Sequence, residues 1–181
     1  GIPTVAIGLF ALTALKPFLE NFIPALNSVP FAAGVAGLAI GLMIVPIIAS
    51  ISDDAMRSVP QGLREASFGL GATKSKTATR VIVPAAMSGI VASIVLAGSR
   101  AIGETMIVLL AAGNTPNMDF SFSSSVQTMT TFIATTGTGD IATGTITYKT
   151  IFAVGALLFV MTLILNAISI RLVRKYREVY E

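Results

Sequence analysis

Two ionisable side chains, Arg100 and Glu104, stand inside an otherwise apolar stretch of residues 85–112. A charge at membrane depth costs several kcal/mol, so it must face a partner, a cavity or water. Four residues apart on a helix, the two share one face and can pair. Arginine carries a planar fork of donors that suits bidentate contact with an oxyanion. A neighbouring carboxylate would hold that fork in place and keep an anion from binding too tightly to leave. A buried ion pair that only fixes helix packing is the alternative. Little other chemistry is available. The 181 residues contain no cysteine and no histidine, which excludes disulfides, Cys or His metal sites and nucleophilic chemistry that depends on either. Ser88, Ser93 and Ser99 have no histidine or suitably placed lysine to activate them, and no GxxxxGK[ST] loop is present to hold a nucleotide. The reading is therefore not an enzyme, with no cofactor in this chain.

The elements that must position Arg100 and Glu104 are helices in a bilayer. The chain is 54% hydrophobic and only 12% charged, about half the charge of a soluble domain. So much apolar surface needs lipid or a large partner. Four stretches are apolar enough to cross, at about residues 2–25, 31–52, 85–112 and 149–171. Gly34, Gly37 and Gly41 in the second suit close helix approach. The first residues lack the basic start and cleavage site of a signal peptide, and the chain reads as one that begins within a longer protein. The expected fold class is all-α: a polytopic transmembrane helical bundle.

Charge orients it. Arg57, Arg64, Lys74, Lys76 and Arg80 fall between the second and third stretches, and Arg171, Arg174, Lys175 and Arg177 follow the fourth. These are nine of the twelve Lys and Arg, whereas residues 113–148 contain none. By the positive-inside rule the 53–84 loop and the 172–181 tail are cytoplasmic, and the 113–148 loop is extracytoplasmic. That outer loop is rich in Ser, Thr and Gly, and reads either as solvated or as carrying a short helix over Val126–Ala134.

The 53–84 loop has its own pattern. Gln61 to Phe68, entered after Pro60, makes one short helix. Gly69 and Gly71 permit a sharp turn, and a second short helix capped by Thr73 or Ser75 carries Lys76 and Arg80. Two short helices at a glycine elbow form a docking surface, or else an ordinary solvated loop.

Glu65-Ala66-Ser67, Gly71, Val81, Val83 and Pro84 resemble the EAA motif of bacterial ABC import permeases, EAA-x3-G-x9-I-x-L-P, with matching spacing and with Ser and Val as mild departures. The resemblance implies that Glu65, Ala66, Ser67, Gly71 and Pro84 couple the spans to an ATP-binding subunit. Gly98-Ser99-Arg100-Ala101-Ile102-Gly103-Glu104-Thr105-Met106 is similar to the [GA]-x-[GA]-RA-x-GET segment of phosphate ABC permeases of the PstC and PstA type. Met106 and the Asn114 loop favour the PstC side. Likeness extends to Ile2-Pro3-Thr4, to Arg57–Pro60, to Gly71–Lys74 and to the closing Arg-Lys-Tyr-Arg-Glu-Val-Tyr-Glu. It implies a MetI-like permease fold, with four spans of a six-span subunit in this chain. It further implies phosphate import through Arg100 and Glu104 across a bacterial or archaeal inner membrane. The implied partners are a dimer of ATP-binding subunits, a second homologous permease and an extracytoplasmic phosphate-binding protein, with no nucleic acid. Molybdate, sulfate or phosphonate is the alternative cargo, and an ion-gradient-driven secondary transporter the alternative class.

Overall fold

The computed structural model describes residues 3–118 and 121–177, with side chains followed to residue 171. The start of the first apolar stretch at Ile2, Asp119 and Phe120 of the outer loop, and the end of the tail beyond residue 177 lie outside the described residues. Among the described residues all regular structure is helical. The principal helices are α1 Thr4–Phe10, α2 Lys16–Glu20, α3 Ala33–Arg57, α4 Gln61–Gly69, α5 Lys74–Thr77, α6 Val83–Ala85, α7 Met87–Ile102, α8 Met106–Ala111, α9 Met129–Gly137 and α10 Ile146–Arg177.

Two of these, α3 and α10, are long and apolar enough to cross a membrane. The other two apolar stretches are interrupted. Residues 4–20 stay helical, but a π-helical stretch, Ala11–Leu15, separates α1 from α2. Lys16 does not break this helix. It is 8% exposed and pairs with Glu20 one turn on, so the charge is matched where it is buried. The expected helix over 85–112 is divided instead. Residues 74–85 and 87–102 meet at a 66° bend next to Pro84, and together can make a third crossing. Helix α7 then stops at Ile102, and α8 starts only at Met106.

The chain forms two compact units, residues 1–43 with 101–162 and residues 44–100 with 163–181. The core of the first is built largely of alanines, Ala11, Ala32, Ala36, Ala39, Ala111 and Ala112, closed by Leu26, Val35, Ile107 and Val108. Small side chains let α1, α8 and the start of α3 approach closely. The start of α3 is served by backbone from elsewhere. Ala32 N–H donates to Ala111 C=O (3.0 Å), Ala33 N–H to Ser124 C=O (2.9 Å) and Gly34 N–H to Phe122 C=O (2.9 Å). These are among the amides a helix leaves without internal partners. The Phe122 ring fills the space a side chain at Gly34 would need.

The second unit is held by contacts between the end of α3 and α7. Ser52 and Ser93 share a 2.9 Å hydroxyl hydrogen bond, and Ser93 is fully buried. Gly89 lies against Ala55, where even a single added carbon has no room. Further along, Ser99 Oγ donates to Asn166 Oδ1 of α10 at 2.9 Å. Gly89→Val should lower the unfolding stability of the purified full-length protein by about 1–3 kcal/mol, the usual cost of forcing carbon into a packed contact. Gly98→Ala, inside the same helix where nothing lies within 4 Å, should cause no loss and gain about 0.5–1 kcal/mol from the helix preference of Ala over Gly, and an equal loss in both would refute the contact.

Candidate functional site

Arg100 and Glu104 do not share a helix face. Arg100 sits in the last turn of α7, while Glu104 lies beyond its end at Ile102. The i, i+4 geometry expected from spacing needs an unbroken helix, and Gly103 and Thr105 flank Glu104 in a non-helical link. Each residue has its own environment. Glu104 is 7% exposed. Its Oε1 accepts the Ile107 N–H at 3.3 Å, which supplies a first-turn amide of α8 with an acceptor that the unbonded Thr105 cap does not provide. Its backbone N–H donates to Ala101 C=O at 3.2 Å, and its carbonyl accepts the Thr130 hydroxyl at 3.0 Å. Glu104 is thus a cap that builds the break. Arg100 is exposed, and among the described residues no hydrogen bond or ion pair occupies it; the ion pairs seen are Lys16–Glu20 and Arg57–Asp53. Its fork of donors is open to a ligand.

The outer loop is more built than its composition suggests. Helix α9 begins three residues later than expected, at Met129, because Thr128 and Thr131 form a reciprocal capping box. Thr131 is fully buried and Thr130 is 8% exposed, so this helix is packed into its unit. Gln127 Nε2 donates to Asn114 Oδ1 and Asn114 Nδ2 donates to Thr135 Oγ1, both at 3.1 Å. The T-x-x-T spacing was a readable sign of this start; the Asn114 network pairs residues 13 and 21 positions apart and left no local signal. Asn166, the polar residue within α10 that binds Ser99, was also passed over.

The elbow of residues 61–84 matches the expectation in outline. Helix α4 follows Pro60, and Gly71 takes φ +78°, a left-handed conformation that costs other residues about 1–2 kcal/mol. Thr73 then caps α5 by accepting the Lys76 N–H. Ser67 and Thr77 tie the two helices together with a 2.9 Å hydroxyl hydrogen bond, Thr77 being 1% exposed. Ala72 N–H closes the turn onto Ser67 C=O at 3.1 Å. Glu65 and Ala66 point outward, with Leu63 and Phe68 half exposed and Leu70 90% exposed. An open cleft of about 770 Å³ runs beside α4, lined by residues from Arg57 to Phe68. Pro84 lies at the bend before α7. The elbow is a rigid, outward-facing surface with apolar side chains at its tip. A double-mutant cycle of Ser67→Ala and Thr77→Val should give a coupling of about 1 kcal/mol, the net weight of one buried hydrogen bond; additive losses would mean the bond does not hold the elbow.

The chain is 38% identical over 162 residues to a probable ABC transporter permease protein, YqgH, of Bacillus subtilis, covering 90% of this chain and 52% of that protein. It is 32% identical to the phosphate transport system permease protein PstC of Mesorhizobium japonicum, covering 93% and 56%, and to that of Haemophilus influenzae, covering 98% and 61%. The chain therefore spans about half to three fifths of the length of these relatives. No solved structure matches it significantly. The profile of the binding-protein-dependent transport system inner membrane components matches residues 1–178. With that match over nearly the whole chain and with apolar helices long enough to cross a membrane, the chain belongs to the family of binding-protein-dependent transport system inner membrane components.

Proposed function

We propose that this chain is the membrane-spanning part of an ABC importer permease that passes inorganic phosphate into the cytoplasm, energised by ATP hydrolysis on a partner subunit. The observation that carries this reading is the elbow. Residues 61–84 form two short helices locked by Ser67–Thr77 and turned at Gly71, with Glu65 and Ala66 presented outward. Such a surface is built for docking, and it coincides with the EAA-type spacing of the sequence. In this reading an ATP-binding dimer seats on Glu65, Ala66, Ser67 and Gly71, and Pro84 passes the movement to the helix above. The 53–84 loop that contains the elbow and the basic end from Arg171 onward face the cytoplasm, since together they hold nine of the twelve Lys and Arg. A second permease completes the pathway and an extracytoplasmic binding protein delivers the anion.

Phosphate is favoured by the exposed, unoccupied guanidinium of Arg100 at the end of α7 and by the PstC relatives, which are named for phosphate transport. A guanidinium matches a tetrahedral oxyanion with two parallel donors. Its exposure lets the anion leave, as a conducting path requires. Glu104 contributes by capping α8, which keeps the non-helical link next to Arg100 in sequence at its set length.

Two outcomes test the assignments separately. Uptake of labelled phosphate by the full-length protein, reconstituted with its ATP-binding and binding-protein partners, should require ATP and resist competition by molybdate and sulfate. Arg100→Gln should lower that uptake by about tenfold or more, since a hydrogen bond to a charged group carries about 1.5–3 kcal/mol, while the complex still assembles. Normal uptake by the variant would take Arg100 out of the path. Glu65→Arg should leave the permease folded but release or uncouple the ATP-binding subunit, and unchanged uptake with unchanged ATP hydrolysis would remove the elbow from coupling.

A further inference from the structure

Helix α4 is tied to the end of α3 by one long side chain. Arg64 Nη2 donates a 2.7 Å hydrogen bond to the carbonyl of Met56, eight residues back across the Ser58–Pro60 turn. That carbonyl is among the last four of α3, which have no acceptor duty inside the helix. Its neighbours are served locally: Ser58 N–H donates to Asp54 C=O (3.0 Å) and Ser58 Oγ to Ala55 C=O (2.8 Å). Among the described residues the local donor to Met56 C=O is the Val59 N–H at 3.4 Å, a long bond. A guanidinium there is charge-assisted and sits at the negative end of the helix dipole. Arg57 does not compete for the position, because its Nε is bound to Asp53 at 2.8 Å.

The same end of α3 is locked to α7 on another side, by Ala55 against Gly89 and by Ser52 with Ser93. The links run in series: α4, then Arg64, then the end of α3, then α7. Arg64 is half-buried and reaches back to α3, whereas its neighbour Glu65 is exposed on the outer surface of α4. One short helix therefore offers an outward face for a partner and a separate inward grip on the spans.

We propose that Arg64 is a positioning residue that fixes α4 to the end of α3, so that displacement of α4 is delivered to α3 and α7 rather than absorbed in the Ser58–Pro60 turn. This rests on the permease reading above and adds the point of attachment that the EAA-type spacing does not specify. Among the described hydrogen bonds, Arg64–Met56 is the one that joins α4 directly to α3; the Ser67–Thr77 bond reaches the spans by the longer way through α5 and α7.

The test uses the full-length permease with its partner subunits in proteoliposomes, and spin labels on cysteines placed at Asp54 and Gln61, both exposed. These 181 residues contain no cysteine of their own to interfere. Arg64→Met removes the donors and keeps an unbranched apolar stem, and Arg64→Lys keeps a cationic donor. Arg64→Met should broaden the 54–61 distance distribution and lower labelled phosphate taken up per ATP hydrolysed by about tenfold, in keeping with the loss of a charged hydrogen bond. Arg64→Lys should recover most of both. The proposal is overturned if Arg64→Met keeps the parent's narrow distribution, or if the distribution broadens while uptake per ATP is unchanged. Should Arg64→Met fail to assemble with its partners, the distance distribution of the permease alone in lipid nanodiscs decides, a narrow one overturning the grip. A parent complex that takes up no phosphate would discard the cargo proposed above, while the distance measurement still reads the grip itself.

Discussion

Where a helix stops, its unbonded amides and carbonyls must find other partners, and wherever water is shut out the rest of the protein has to supply them. Much of this structure answers to that constraint. The start of α3 takes carbonyls from Ala111, Ser124 and Phe122. Its other end gives carbonyls to Ser58, Val59 and Arg64. The start of α8 takes the Glu104 carboxylate, and the Glu104 carbonyl in the link before it takes the Thr130 hydroxyl. Most of these pairings bring in a segment distant in sequence or a polar side chain that would otherwise be costly. Loops here are consequently structural parts and not spacers.

That constraint also divides the labour between the two charges that first drew attention. Glu104 is consumed by helix capping, and its near-complete burial is compensated by the amide it serves. Arg100, one turn earlier and exposed, keeps its donors free. A carboxylate satisfied by a backbone amide can hold a break in a helix, and a guanidinium without a partner can hold a ligand. The same split occurs at the elbow, where Arg64 is engaged with backbone and Glu65 is free. In both places one charged residue is engaged with backbone and its near neighbour is exposed.

The elbow was legible because its determinants are local. Pro60 before a helix, a left-handed glycine at Gly71 and a Thr73 cap each act within a few residues, so spacing alone placed them. The broken third stretch was not legible. Arg100 and Glu104 at one-turn spacing suit a helix that continues through Ile102, whereas the stop at Gly103 depends on Glu104 accepting from donors at residues 107 and 130. Likewise the first apolar stretch continues through Lys16 because Glu20 is one turn away, which the interruption by Lys16-Pro17 concealed.

The sequence by itself determined that the chain is helical and membrane-bound in character, and that one loop turns through two short helices at a glycine. Apolar content, the absence of Cys and His, and local turn chemistry are properties of short windows. Only the tertiary structure decided that Glu104 caps while Arg100 stays open, that the Thr-rich loop is packed through Thr131, and that Arg64 holds α3. Those outcomes turn on which backbone groups are left without partners at helix ends, and their partners come from segments that no local window contains.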